Sequence, residues 1–115
     1  MFLKLQTVVY HVNDLAAAKS FYTALTGITP YFDEPFYVGF SINGYELGLD
    51  PDMTGVEKGN HHAAFWKVDD MAAAVEKAVS LGATVVQPAH DVGGGIQVAT
   101  VGDPFGNHIG FITGT

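Results

Sequence analysis

The sequence predicts an α+β fold built from two βαβββ modules, each a strand, a helix and three further strands. The first observation is an internal repeat: the letters VNDLAAA that begin at Val12 return as VDDMAAA from Val68, an offset of 56 residues (68 − 12). The second is that each repeated segment follows a run rich in β-branched residues and leads into an alanine-rich helical run. One βαβββ module cannot bury its sheet alone, so we expect the two modules to pack together.

The first module, residues 1–50, opens with a predicted strand and a capped helix. Asp14 is a good helix N-cap, because its carboxylate can accept hydrogen bonds from the free N–H groups of the first turn. Gly27 closes the helix, and Asn43-Gly44 is a strong hairpin signal. The predicted elements are strand 2–12, helix 15–26 and strands 28–33, 36–42 and 45–49.

Residues 51–60 form a predicted linker, because proline and glycine punctuate them. The second module, residues 61–115, repeats the pattern, with Asp70 as the N-cap and with Pro88 ending a strand. Its predicted elements are strand 61–68, helix 71–81 and strands 83–87, 96–101 and 108–113, the last after a turn at 103–107. We expect the first and last strands of each module to pair in parallel, and we treat 1–115 as a single domain.

Composition limits the partners. A hydrophobic content of 48% with 15% charged residues predicts a folded protein, and the low charged fraction predicts a homodimer. The net charge of −7, with five Lys and Arg in all, argues against nucleic acid and anionic membranes as partners. Cysteine is absent, so there is no disulfide or thiolate metal site. Without a recognisable signal peptide or an apolar run of membrane-spanning length, we expect a cytoplasmic protein.

Four features in order point to a family. They are the two modules, a Val-x-Asp before each helix, Phe21-Tyr22 inside the first helix, and Asp103-Pro104-Phe105-Gly106-Asn107 before the last strand. Together they resemble, over essentially the whole chain, the vicinal oxygen chelate superfamily of glyoxalases, bleomycin-resistance proteins and extradiol dioxygenases. In that family the modules bend into a cup. Its enzymes typically hold a divalent metal there through four His, Gln or Glu side chains on the first and last strands of the modules.

The resemblance implies that the four metal positions are Thr7, Gly48, Ala63 and Gly110 in this sequence. None of these residue types is a competent ligand for a divalent metal, so we expect the usual site to be absent and no cofactor to be needed. Glycine and alanine at three of the positions suggest a cup that is emptied rather than filled, which suits a ligand cavity. Metal-free members of the family sequester drugs. The resemblance therefore implies a metal-independent small-molecule binding protein.

Strand alternation adds side chains to the same face as these positions, and places Trp66 on the opposite face, in the core. We expect Phe65 to supply an apolar wall and Thr7 a hydrogen bond. Glu46 and His108 would orient a polar or cationic ligand, because an acidic chain disfavours anions. The predicted ligand-binding residues are Thr7, Val9, Glu46, Gly48, Ala63, Phe65, His108 and Gly110.

An enzyme is the alternative function, and its catalytic residues are not identified by sequence. Glu46, His61 and His108 each lie two residues before a former metal position, so they could form a displaced divalent-metal site or simply line a polar rim. The chain could then be a glyoxalase-like lyase, isomerase or dioxygenase, through that site or through metal-free acid–base chemistry of Glu46 and His108. A third alternative is an interaction module with a vestigial cup. The modules could pair within one chain or between swapped chains.

Overall fold

In the part of the chain that the structure describes, each half folds into one helix and one four-stranded sheet. The computed structural model describes residues 1, 3–58 and 64–115 and divides into two units, Met1–Val56 and Glu57–Thr115. The first unit contains β1 (Thr7–His11), α1 (Leu15–Thr26), β2 (Phe32–Glu34), β3 (Tyr37–Ile42) and β4 (Tyr45–Asp50). The second contains β5 (Ala64–Lys67), α2 (Met71–Ser80), β6 (Thr84–Asp91), β7 (Gln97–Gly102) and β8 (His108–Thr113). In the described ranges, no helix is long and apolar enough to cross a membrane.

The two sheets have the same topology. The first has the order β1-β4-β3-β2 and the second the order β5-β8-β7-β6. In each, the first and last strands of the unit are parallel neighbours, and the other pairs are antiparallel. The predicted βαβββ plan and the parallel pairing are therefore confirmed. Register places Val9 opposite Gly48 in the first sheet and Phe65 opposite Gly110 in the second.

Helix α1 begins and ends where the sequence predicts. The Asp14 side chain accepts a hydrogen bond of 3.0 Å from the N–H of Ala17, and Gly27 ends the helix in the left-handed region, at φ 72°. The helix packs its inner face against one side of the first sheet, and the Tyr22 and Tyr10 rings stack there at 5.7 Å. The buried residues of this layer are Ala18, Phe21, Tyr22, Tyr10, Val12, Val38, Phe40, Leu47 and Leu49.

Helix α2 repeats the arrangement in the second unit. Asp70 accepts from the N–H of Ala73 at 3.0 Å, as predicted, and the helix ends at Ser80 rather than at Leu81. Trp66 lies opposite the buried Phe111, so it shares the core face as expected. The buried residues of this layer are Met71, Ala78, Ala83, Ala99, Val101, Ile109 and Phe111.

Strand β6 differs from the prediction. The sequence interpretation ended this strand before Pro88, but β6 runs through Pro88 to Asp91. Its pairing with β7 shifts register between Val85 and Gln87 and again between Gln87 and His90. The physical reason is that β6 is an edge strand, where one side needs no partner and bulges tolerate a proline without an N–H.

Two other strands are shorter than predicted: β1 spans Thr7–His11 and β2 only Phe32–Glu34.

Candidate functional site

The side of the first sheet that faces away from α1 carries residues that are more polar than the buried layer on the α1 side. Alternation along each strand and the register between strands define its members. Thr7, Val9 and Glu46 of the predicted ligand site belong to it, with Thr7 directly opposite Glu46. We call this surface the open face; its residues are Thr7, Val9, His11, Phe32, Glu34, Tyr37, Gly39, Ser41, Glu46, Gly48 and Asp50.

Two tyrosine hydroxyls converge on one carboxylate on the open face. Tyr37 donates a hydrogen bond of 2.5 Å to Oε2 of Glu46, and Tyr31 donates to Oε1 of the same side chain. The backbone N–H of Tyr31 also donates a hydrogen bond of 3.0 Å to the carbonyl of Gly39, which ties the residue before β2 to β3. We call these three residues the Tyr–Glu–Tyr cluster. It presents phenolic donors around a carboxylate, a group able to fix the polar end of a ligand.

Both phenols of the cluster are held in their protonated form. Partial burial, followed by the hydrogen bond to Glu46, raises the pKa of Tyr37 well above its ordinary value of 10.0. The hydrogen bond to Glu46 is the main cause that raises the pKa of Tyr31, with desolvation and the carboxylate charge adding to it. The two hydroxyls are therefore donors at neutral pH.

The Tyr37 ring occupies the space beside Gly48, one of the former metal positions. A Cβ on Gly48 would overlap the Tyr37 hydroxyl and would lie 2.9 Å from its Cε1 atom. A Cβ on Gly39 would likewise lie 3.1 Å from Cε1 of Tyr31. The two glycines thus make room for the two rings that reach Glu46. The expectation of empty space at Gly48 is wrong, because a side chain from β3 fills it.

The second unit fills its corresponding glycine from a different strand. A Cβ on Gly110 would lie 2.8 Å from Cε1 of Phe65 and 2.8 Å from the carbonyl oxygen of Ala64. The expectation of empty space is therefore wrong at Gly110 as well. Phe65 keeps 48% of its surface exposed, and His108 is half-buried at the start of β8. This unit offers an aromatic wall at Gly110 without a Tyr–Glu–Tyr cluster.

The former metal positions do not fit a divalent metal. Thr7, Gly48 and Gly110 provide no imidazole or carboxylate, and the Tyr37 ring takes the space at Gly48. Ala63, the fourth position, lies outside the described residues. So does His61 of the displaced metal site, while Glu46 and His108 belong to different units. Within 3–58 and 64–115, no three His, Asp or Glu side chains are grouped closely enough to hold a metal ion.

Four aromatic side chains in residues 31–37, two of them the tyrosines of the cluster, lie close together, and sequence reasoning missed their role. The Phe32 ring lies 6.4 Å from that of Tyr31, 5.9 Å from that of Phe36 and 6.1 Å from that of Tyr37. Phe36 is 67% exposed and Tyr31 63%. We call these residues the aromatic patch. The available signal was the segment YFDEPFY, but a strand and a turn explained it equally well.

The open face is acidic. Glu34, Glu46 and Asp50 lie on it, and none of its strand positions is Lys or Arg. Lys19 of α1 forms an ion pair of 2.7 Å with Asp33. Asp33 lies opposite the buried Val38, so this ion pair is on the α1 side of the sheet and not on the open face. A positively charged group would therefore meet a favourable potential on the open face.

Two βαβββ units, each with a mixed four-stranded sheet and one helix, define the glyoxalase/bleomycin-resistance class of α+β fold. A sequence model of the Glyoxalase/Bleomycin resistance protein/Dioxygenase superfamily matches residues 4–111, and the chain belongs to this superfamily. The resemblance inferred from sequence is thus confirmed.

Two curated mycobacterial relatives and several solved structures are similar to the chain. Proteins named "Putative glyoxylase CFP32" from Mycobacterium tuberculosis and Mycobacterium bovis are each 34% identical over 110 residues, which cover 85% of this chain. The chain spans only 41% of the length of these relatives.

A glyoxalase/bleomycin resistance protein/dioxygenase family enzyme from Burkholderia phytofirmans superposes with a TM-score of 0.83 at 18% identity, covering 96% of this chain and 98% of its own. Lactoylglutathione lyase from Agrobacterium tumefaciens superposes with a TM-score of 0.76 at 18% identity, covering 96% and 93%. At these identities the likeness establishes the fold.

Proposed function

We propose that this protein is a metal-independent small-molecule binding protein that holds its ligand on the open face of the first sheet. The observation that carries the proposal is the Tyr–Glu–Tyr cluster together with the exposed aromatic patch, which share their two tyrosines. A few convergent polar groups next to apolar and aromatic surface are typical of small-molecule sites. The cluster would orient the polar end of the ligand, and the rings would cover its apolar body.

The predicted lining residues of the first unit support this location. Thr7 stands opposite Glu46 and can add a hydrogen bond, while Val9 is 43% exposed next to Gly48. Ligand contacts by Ala63, Phe65, His108 and Gly110 stay a prediction.

A ligand screen by NMR tests the proposal. We expect at least one compound from a drug and metabolite library to bind with a dissociation constant below about 1 mM and to shift the amide signals of residues 31–37 and 45–50. Glu46→Gln should weaken that binding, whereas Glu76→Gln, the same charge change on the exposed side of α2, should leave it unchanged. If every compound binds more weakly, or if binders shift only other residues, the proposal fails.

We propose that no metal cofactor takes part, because the side chains at the described former metal positions are not ligands. Elemental analysis of protein purified without chelator should find below about one tenth of an equivalent of Ni, Zn, Fe or Mn. A full equivalent, with ligand binding that is lost on chelation and restored by the metal, would contradict this.

A metal-free acid–base enzyme is the second candidate. The observation that favours it is a carboxylate held between two phenolic donors, a base and two proton donors in one place. The curated relatives carry the name glyoxylase, which is consistent with chemistry next to a carbonyl group. Enzyme-dependent exchange of protons next to a carbonyl in D2O, abolished by Glu46→Gln and retained in Glu76→Gln, would establish it. The absence of exchange across a panel of α-hydroxycarbonyl compounds would exclude it.

The homodimer, the cytoplasmic location and the absence of nucleic-acid or membrane partners stay predictions. Light scattering of the purified chain tests the first, with a mass of about twice 12.2 kDa expected.

A further inference from the structure

We infer that the ligand of the open face is an organic cation, carrying a quaternary or protonated ammonium group. This inference rests on the proposed function and names the class of ligand for the same site. Three features of the described residues support it: the charge of the open face, the exposed ring surface of the aromatic patch, and the way the Glu46 carboxylate is held.

The open face carries more acidic than basic groups, since its one ionisable base is His11, opposite Asp50. Three carboxylates lie on it: Glu34 on the edge strand β2, Glu46 on β4 and Asp50 at the end of β4. The lysine of α1, Lys19, forms an ion pair with Asp33 on the other side of the sheet. An anionic ligand would be repelled by these carboxylates, whereas a cation would be attracted.

The aromatic patch adds a second attraction that is specific for organic cations. Its rings lie 5.9 to 6.4 Å from the central Phe32 ring, so one ammonium group can stand within about 6 Å of more than one ring centroid. Phe36 and Tyr31 keep most of their surface exposed, which leaves ring faces available. Proteins recognise quaternary ammonium groups through clusters of aromatic rings.

The geometry of Glu46 favours an organic cation over a divalent metal. Each of its oxygens already accepts a hydrogen bond from a tyrosine hydroxyl. The carboxylate therefore keeps its charge at a fixed place but has fewer lone pairs for direct metal coordination. A bulky ammonium group needs only the field of the carboxylate and the faces of the rings.

Two probes of the same shape test the inference. (4-Hydroxyphenyl)trimethylammonium and 4-tert-butylphenol differ only in that a charged nitrogen replaces a carbon. In NMR titrations of the full chain at neutral pH and low salt, we expect the cation to bind at least about ten-fold more tightly, with shifts at residues 31–37 and 45–50. Added salt should reduce the affinity for the cation and not that for the phenol.

Three variants separate the sources of the preference. Glu46→Gln removes the charge and should reduce the preference to about three-fold or less, while Glu76→Gln on α2 should preserve it. Phe36→Leu keeps an apolar side chain but removes a ring, so it should weaken cation binding and change phenol binding by less than about two-fold. Thermal unfolding of each variant checks that the fold is retained.

The outcomes distinguish the two proposals. Equal affinity for the two probes at the open face, or tighter binding of the phenol, overturns the cation inference and supports the binding function. Failure of the cation probe to shift the open face also overturns it, whatever the library screen finds. A preference that survives both Glu46→Gln and Phe36→Leu would mean that these residues do not create it, and the inference would fail.

Discussion

The two units share a backbone plan but fill the glycine of their last strand from opposite sides. In the first unit the neighbour across the parallel pair is Val9, which is too short to cover Gly48, and Tyr37 reaches in from the antiparallel side. In the second unit the corresponding neighbour is Phe65, which covers Gly110 directly. The offset of 56 residues that relates Val12 to Val68 also relates Val9 to Phe65. The valine at position 9 thus goes with a polar face in the first unit, and the phenylalanine at the matching position 65 goes with an aromatic wall in the second.

This difference shows which parts of a repeated fold are constrained. The helix side is similar in both units, with an aspartate cap and a buried apolar layer, because burial and capping must be satisfied for each sheet to be stable. Among the described residues of each unit, the one helix packs on that side, so the side chains on the opposite side of the sheet can differ. In the first unit they form the Tyr–Glu–Tyr cluster.

The largest expected effect concerns the turn before the last strand of each unit, β4 in the first and β8 in the second. The buried Asp103 carboxylate accepts from the N–H groups of Phe105 (2.9 Å) and Asn107 (2.7 Å), and from the Asn107 side chain. Asp103→Ala should lower the free energy of unfolding by about 3 kcal/mol, since it leaves several donors without their charged acceptor. Asn43→Ala, in the hairpin of the first unit at φ 50°, should cost about 1 kcal/mol. Urea unfolding measures both; equal costs would mean that the two turns are equally constrained.

Alanine at the two glycines should give unequal losses of stability. Gly110→Ala places a Cβ against the backbone carbonyl of Ala64 as well as Phe65, and should cost about 3 kcal/mol. The three atoms nearest to a Cβ on Gly48 all belong to the Tyr37 side chain, which can move, so Gly48→Ala should cost about 1 kcal/mol.

The double variants sharpen this test. Adding Tyr37→Ala should remove most of the cost of Gly48→Ala, whereas Phe65→Ala should not rescue Gly110→Ala, because the backbone contact persists. Full rescue in the second unit would show that the Phe65 ring alone makes Gly110 necessary.

Removal of the Tyr37 hydroxyl should have a smaller effect. Tyr37→Phe deletes one hydrogen bond to Glu46 at a half-buried position and should lower the free energy of unfolding by about 1 kcal/mol or less. Tyr31→Phe should cost less, because that residue is more exposed. Thermal and urea unfolding of both variants measure the order; a larger loss for Tyr31→Phe would mean that the more exposed hydroxyl contributes more to stability.

The smallest expected effect is a dependence of stability on alkaline pH. The folded-state pKa of Tyr37 is raised above 10.0, so above that pH the unfolded chain loses this proton while the folded chain keeps it. Stability contributed by the cluster is therefore fully present below about pH 10 and is lost as pH rises toward the folded-state value. Urea unfolding at about pH 9 and about pH 11 should show a steeper decline in the wild type than in Tyr37→Phe. The same decline in both would assign it to other groups.

Much of the fold could be predicted because its signals are local. The Asp14 and Asp70 caps, the left-handed Gly27 and the alternation of β-branched residues act within a few residues of where they are read. The extent of β6 could not be read this way, because tolerance of Pro88 depends on the strand lying at the sheet edge. Thr7 was predicted for the site from the family resemblance, and Val9 and Glu46 from strand alternation relative to the positions it implies; all three lie on the open face.

The sequence by itself determined the two βαβββ modules, the superfamily and the lack of metal-ligating side chains at the former metal positions, because each of these depends on residue identity and spacing. Only the tertiary structure decided what occupies the space that the glycines leave. Tyr31 reaches Glu46 across strand β3 and Tyr37 reaches it from β3 itself, at sequence separations of 15 and 9 residues. Phe65 meets Gly110 across a parallel pair. Such contacts depend on register and on which neighbouring side chain is long enough to reach. The same glycine can therefore mark an opening or, as in both units here, the place where an aromatic ring lies.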